Sequence, residues 1–334
     1  MQSTMQDVPL TVAAILRYAS TVHGDRTVTT ATGDGYRHAT YREVGRQAAR
    51  LANALRRLGV EGDDRVATFM WNNQEHLEAY VAVPSMGAVL HTLNIRLFPE
   101  QIEFVAYEAE DRVVIADLSL APILAPVLPK METVHTVVAV GAGDLEPFQR
   151  SGKNVVRYHD ITAAESDQFD WPAIDEKSAA AMCYTSGTTG HPKGVVYGHR
   201  STYLHSTAVC SGNGMGLSFS DKAFPIVPMF HANAWGLPYA ALMAGADILL
   251  PDRHMDAKTL VHMIETQRPT VAGAVPTIWN DVMNYLEREP GHDISSLRLV
   301  ACGGSAVPMS LMKTFEERHG VQIRQLWGMT ETSP

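Results

Sequence analysis

Apolar residues along this chain alternate between two periods, and the alternation outlines the fold. Over 10–23 they recur at three- and four-residue spacing, the mark of one helix face, and Gly24-Asp25 ends the pattern. Segments 27–30 and 36–40, joined through Gly33-Asp34-Gly35, read as a hairpin. Thr40-Tyr41-Arg42-Glu43 is a capping box opening a helix whose apolar face is Val44, Ala48, Leu51, Leu55 and Leu58, with Gly59 at the C-cap position. Strands are then expected at 65–70, 89–91, 113–116 and 136–140, separated by helices at 75–87, 99–109 and 121–128. From 141 to 178 the chain turns polar and reads as an irregular surface connection. The second half resumes the alternation, with helices at 201–209, 237–243, 256–267, 277–287 and 309–319. Its strands fall at 223–227, 247–250, 270–274, 297–301 and 322–327. Strands separated by helices imply layered α/β/α subdomains with mostly parallel sheets, divided as 1–178 and 179–334.

One stretch breaks the alternation. Tyr184-Thr185-Ser186-Gly187-Thr188-Thr189-Gly190-His191-Pro192-Lys193-Gly194 lies between the apolar strands 179–183 and 195–197. Glycines let a loop turn several N–H groups toward one point, hydroxyls add donors, and Lys193 adds a positive charge. Such a loop suits phosphate. It is not a Walker A loop, because neither Gly187 nor Gly190 is followed by Gly-Lys at the required distance. Other Gly-rich or polar stretches also fall just past predicted strands, where open α/β sheets bind ligands. They include Pro228-Met229-Phe230-His231-Ala232-Asn233-Ala234-Trp235, Cys302-Gly303-Gly304-Ser305-Ala306 and Trp327-Gly328-Met329-Thr330-Glu331. Gly303-Gly304-Ser305 is no nucleophile elbow, since position 307 is Val307. Taken alone, a single histidine such as His231 is more often structural than catalytic, and a carboxylate such as Glu331 is more often a solvated turn.

Composition narrows the ligand question. With 334 residues, 46% hydrophobic and 19% charged, the chain can bury a core and is not largely disordered. Its formal charge of −9 provides no general field for anions and argues against a nucleic-acid partner, so phosphate binding has to come from local geometry. Cys183, Cys210 and Cys302 form no Cys-x-x-Cys pair, which suits reduced thiols in the cytoplasm. No signal peptide is read at the N-terminus, and the longest apolar runs fall well short of a membrane span, which needs about 20 residues.

The order of the Gly/Ser/Thr run and of the later stretches, with Ala274-Val275-Pro276-Thr277 between them, resembles the acyl-adenylate-forming superfamily. This superfamily includes acyl-CoA synthetases, luciferases and adenylation domains. The likeness covers nearly the whole chain, and His231-Ala232-Asn233-Ala234-Trp235 is most similar to bacterial fatty-acyl-CoA synthetases. The resemblance implies ATP, CoA and a carboxylic acid as substrates, with Mg²⁺. Ser186, Gly187, Thr188, Thr189, Gly190 and Lys193 would cradle phosphate, and Thr185 and Glu331 would hold the metal. Trp327, where the family usually has tyrosine, would stack on adenine beside Gly328, Met329 and Thr330. Gly303, Gly304 and Ser305 would lie against the adenine and acyl group, with His231 and Lys193 catalytic and His231, Ala232, Trp235 and Gly304 facing the acyl chain. Trp235 would gate the acyl tunnel. Small residues around it and no buried charge lead us to expect medium- to long-chain fatty acids. Aryl or short-chain acids, or a non-catalytic nucleotide- or acyl-binding role, remain alternatives, and the reading leaves room for a homodimer. Family members continue past the position of Pro334 with a ribose-binding aspartate and a small mobile domain, so the chain reads as an N-terminal piece of impaired activity.

Overall fold

A computed structural model describes residues 1, 3–185 and 192–333. The predicted Ser186, Gly187, Thr188, Thr189 and Gly190 positions lie outside the described residues. Two seven-stranded, mostly parallel sheets organise the described chain. One comprises β3 (Arg65–Phe69), β4 (Val89–Thr92), β5 (Asp111–Asp117), β6 (Thr136–Val140), β7 (Asn154–Arg157), β8 (Ala179–Thr185) and β9 (Lys193–Gly198). Its order is β7-β6-β5-β3-β4-β8-β9. The other comprises β1 (Thr27–Ala31), β2 (Tyr36–Thr40), β10 (Lys222–Pro225), β11 (Asp247–Leu250), β12 (Val271–Ala274), β13 (Leu299–Cys302) and β14 (Ile323–Gln325). Its order is β14-β13-β12-β10-β11-β1-β2. Only the edge strands β2 and β9 pair antiparallel.

Each sheet takes strands from both sides of residue 178, because β1 and β2 join the later sheet and β8 and β9 join the earlier one. The helices Val12–Val22, Tyr41–Arg57, Gln74–Ser85, His199–Cys210 and Leu237–Ala244 pack between the sheets. Their core therefore holds side chains of both sheets, such as Val66, Leu90 and Ala181 opposite Ile248, Leu250 and Val271. Gln74–Ser85 is buried from His76 to Ser85, the polar His76 and Glu78 included, so this helix is covered on every face. Separate cores cover the outer faces, one around Trp279 and Phe315 and the other around Phe69 and Phe148.

Local rules explain most boundaries. The capping box at Thr40 is formed: its hydroxyl accepts from Glu43 N at 3.2 Å, and the Glu43 carboxylate accepts from Thr40 N at 2.7 Å. Such a cap is worth about 1 kcal/mol. Two expectations need correction. The helix at 121–128 reduces to Ala121–Leu124 between 3₁₀ turns, because Pro126 and Pro129 cannot donate within a helix and clash with the preceding turn. The stretch 141–178 is not wholly irregular, since it carries β7 and the helix Tyr158–Ala163. With only Val155 and Val156 apolar, β7 is an edge strand too short to declare a period.

Candidate active site

Strand ends bring most of the singled-out residues to one side of the molecule. Beyond β13 come Gly303 and Gly304, beyond β14 Trp327 to Thr330, and beyond β10 the segment leading to His231 and Trp235. All three border one cavity of about 330 Å³. Its wall includes His231, Ala232, Trp235, Gly303, Gly304, Trp327, Gly328, Met329 and Thr330. Trp327 is 78% exposed, so its indole face stands at the rim rather than in a core. Gly304 has φ +82°, a backbone that favours glycine, and a Cβ there would lie 3.3 Å from Val275. At Gly303 a Cβ would come within 2.9 Å of the Leu326 carbonyl oxygen, so this corner closes only without a side chain.

Ser305 does not line the cavity; it sits exposed beyond the glycine turn. Thr185 and Lys193 are not in its wall either. They face each other across the antiparallel pair β8–β9 and bracket the run Ser186 to His191. Directly opposed strand residues hold their Cβ atoms about 5 Å apart, so the two side chains leave the same face of this strand pair. The Tyr197 hydroxyl on β9 donates to the Thr330 carbonyl at 2.7 Å and ties down the 3₁₀ turn Thr330–Thr332. That turn also packs against β8 and carries Glu331, exposed. Burial pushes the Tyr197 phenol well up, and the Glu331 carboxylate adds to the shift.

His231 keeps part of its ring open to solvent, yet surrounding protein desolvates the imidazole and Arg96 adds a like charge. Both lower its pKa, so the ring is neutral at pH 7. The guanidinium of Arg96 lies 5.9 Å from the Phe230 ring centroid, which puts a cation near the cavity that sequence reasoning did not single out.

The segment after His231 contains a feature no local signal announced. Ala232, Asn233, Ala234 and Trp235 have φ of 41°, 52°, 51° and 56°, and Gly236 follows at 67°. This is a turn of left-handed helix built mostly from residues with side chains. At roughly 1–2 kcal/mol per residue it costs about 4–8 kcal/mol, which tertiary contacts have to offset. The contacts are present. Asn72, buried after β3, donates to the Pro225 and Val227 carbonyls at 2.8 and 2.9 Å and accepts from Met229 N at 2.7 Å. The Tyr80 hydroxyl donates to the Met229 carbonyl. His205, Ala208 and Val209 complete the cavity wall from one face of the helix His199–Cys210. Their i, i+3, i+4 spacing was visible in the sequence, but nothing there said which cavity the face would meet. Asn213, Met215, Arg324 and Leu326 also line it without a sequence signal.

The profile of the AMP-binding enzyme family matches residues 16–334. The chain belongs to that family. A long-chain-fatty-acid–CoA ligase of Thermus thermophilus is 42% identical over 99% of this chain and 59% of its own length. A 3-methylmercaptopropionyl-CoA ligase of Ruegeria lacuscaerulensis is 38% identical over 100% of this chain and 62% of its own. The chain thus spans about three-fifths of the length of these curated relatives. An anthranilate CoA ligase solved with anthranoyl-AMP superposes with a TM-score of 0.85 at 25% identity, over 96% of this chain and 60% of the other. In this member of the family the layered fold is accordingly present in both sheets. Among the described residues no group of three or more His, Cys, Asp or Glu side chains gathers as a metal site. A hydroxyl at Thr185 and a carboxylate at Glu331, on packed elements, are hard oxygen donors. Oxygen donors of this kind suit Mg²⁺, which would also need oxygen ligands from outside this pair. No helix among the described residues is long and apolar enough to cross a membrane.

Proposed function

We propose that this chain carries the adenylate-forming site of an AMP-forming acyl-CoA synthetase. The observation behind the reading is the cavity at the ends of β13 and β14, with an exposed indole at its rim and Thr185 and Lys193 bracketing the Gly/Ser/Thr run. The adenine would stack on Trp327 and lie against the Gly303-Gly304 backbone, whose tight approach to Leu326 and Val275 leaves no place for a Cβ. Phosphates would meet the backbone of residues 186–190, with Lys193 supplying charge.

The reaction has two halves. A substrate carboxylate oxygen attacks the α-phosphorus of ATP, and pyrophosphate leaves as acyl-AMP forms. The CoA sulfur then attacks the acyl carbon, and AMP leaves as the thioester forms. The first half brings two anions together, so its transition state needs positive charge and N–H donors already in position. Lys193 would supply charge, and His231, neutral at pH 7, would offer an N–H to a phosphoryl oxygen without adding a second cation. Mg²⁺ held by Thr185 and Glu331 would neutralise phosphate charge.

For the acyl group we propose a medium- to long-chain fatty acid. Ala208, Val209, Met215, Ala232 and Trp235 offer apolar wall, and each methylene desolvated there contributes about 0.8 kcal/mol. The test is carboxylate-dependent pyrophosphate release from ATP with acetate, 3-methylmercaptopropionate, octanoate, palmitate and benzoate. It would use the 334-residue chain and the same chain joined to the remaining part of the Thermus thermophilus relative. Octanoate or palmitate should give the highest kcat/KM. Preference for acetate or benzoate would remove the fatty-acid assignment. Absence of release from both proteins, with nucleotide still bound, would leave only a binding role.

A further inference from the structure

The left-handed turn after His231 has a single polar side chain within it, and that side chain is anchored in the core. Asn233 is 4% exposed, and its Oδ1 accepts a hydrogen bond from the Cys183 thiol at 2.7 Å. An amide oxygen can only accept, so the Cys183 thiol is the donor of this bond. The backbone amides of Ala232 and Asn233 also lie against this sulfur, and the Thr92 hydroxyl is 3.3 Å from it. On its other side Asn233 approaches the Tyr239 hydroxyl, which donates to the Tyr80 carbonyl at 3.0 Å. Asparagine is among the few residues with a Cβ that tolerate left-handed backbone, so its identity suits both the conformation and the anchor.

The two ends of this link matter. Cys183 stands on β8 two residues before Thr185, and Asn233 stands two residues before Trp235. The Trp235 indole lies over Gly273 on β12, where a Cβ would be 3.8 Å from its Cε3. A turn held at Asn233 therefore fixes where the indole rests on the cavity wall. We propose that Asn233, anchored by Cys183, is the positioning residue that sets the Trp235 indole, and thereby a determinant of acyl-chain selectivity.

The structural half of this proposal stands on contacts in the chain itself, and the selectivity half rests on the synthetase reading. Emission and acrylamide quenching of Trp235 would be obtained by difference against Trp235→Phe in each background. The backgrounds are wild type, Asn233→Gly, Cys183→Ala, Cys183→Ser and the double variant Asn233→Gly/Cys183→Ala. Glycine keeps the left-handed backbone and removes the side chain with its contacts to Cys183 and Tyr239; serine keeps a donor. Quenching should rise at least twofold in Asn233→Gly and in Cys183→Ala. Cys183→Ser should recover most of the wild-type value, and the double variant should match the single ones, because one bond is lost in each. Unchanged quenching in Asn233→Gly, or fully additive effects, would overturn the proposal, and Asn233→Gly decides it if Cys183→Ala fails to fold. In parallel, octanoyl- and acetyl-sulfamoyl-adenosine, non-hydrolysable stand-ins for acyl-AMP, would be titrated. Their affinity ratio should change about fivefold in Asn233→Gly with ATP affinity unchanged. An unchanged ratio with moved quenching would overturn the selectivity half. Failure of both analogues to bind wild type would overturn the selectivity half together with the synthetase reading, and the quenching result would still decide the anchor.

Discussion

Gly303→Ala is the change that the cavity should tolerate least for its size. A methyl there meets the Leu326 carbonyl oxygen at 2.9 Å, and the acceptor is backbone. That backbone cannot swing aside freely, because Leu326 N donates to the Cys302 carbonyl at 2.7 Å, continuing the β13–β14 pairing. Relief to an ordinary contact of about 3.4 Å requires a shift of about 0.5 Å, and overpacking of this kind costs about 1–3 kcal/mol. The stretch that yields is the one carrying Trp327 to Thr330, so the loss also appears in ligand affinity. With misplacement near 1 Å worth about a hundredfold, half that displacement predicts roughly a tenfold weaker complex with octanoyl-sulfamoyl-adenosine. Urea denaturation and calorimetric titration read the two effects separately. Gly320→Ala is the control: its φ of +67° carries a backbone cost, but a Cβ there meets nothing within 4 Å, and it lies outside the cavity wall. It should lose about 1 kcal/mol of stability and keep its affinity. Wild-type stability and affinity in Gly303→Ala would refute the reasoning.

Three further outcomes follow from other parts of the molecule. Glu331→Gln should abolish the magnesium dependence of ATP binding in calorimetry while leaving magnesium-free binding within about twofold; retained magnesium dependence would remove Glu331 from the metal site. Asn72→Ala should cost about 3 kcal/mol or more by denaturation, because three buried backbone groups at Pro225, Val227 and Met229 lose their partner at once. The buried Glu78 carboxyl, which accepts from Tyr158 at 2.5 Å, has its pKa raised by burial and then by Glu75. An acid raised on folding gives stability that is full below its ordinary pKa and declines as pH rises toward neutrality. Glu78→Gln should therefore be relatively more stable at pH 8 than at pH 5, by about 1–3 kcal/mol, and an equal difference at both pH values would contradict the assignment.

Much of the fold was legible because periodicity and caps are local. The box at Thr40, the glycine after Leu58 and the helix Met309–His319 could each be read within a dozen residues. The interleaving of the sheets was not legible, since nothing in β1 or β8 states which strands it will pair with. Strand-end placement foretold that Gly304, Trp327 and His231 would meet, and they do. It could not foretell the left-handed turn at Ala232 to Gly236, because alanine and tryptophan have no local preference for that backbone. The turn exists through contacts from Asn72, Tyr80 and Cys183, distant in sequence, and only the assembled sheets bring them there.

The central claim is that the cavity at the ends of β13 and β14 receives an acyl-adenylate. The most direct measurement follows Trp327, the exposed indole at its rim, as octanoyl-sulfamoyl-adenosine is titrated into the folded 334-residue chain. Saturable quenching at one site per chain is predicted, competed by ATP, lost in Trp327→Phe and unaffected by free octanoate at the same concentration. A titration in which Trp327 emission stays constant while the ligand binds, or in which nothing binds, would contradict the account.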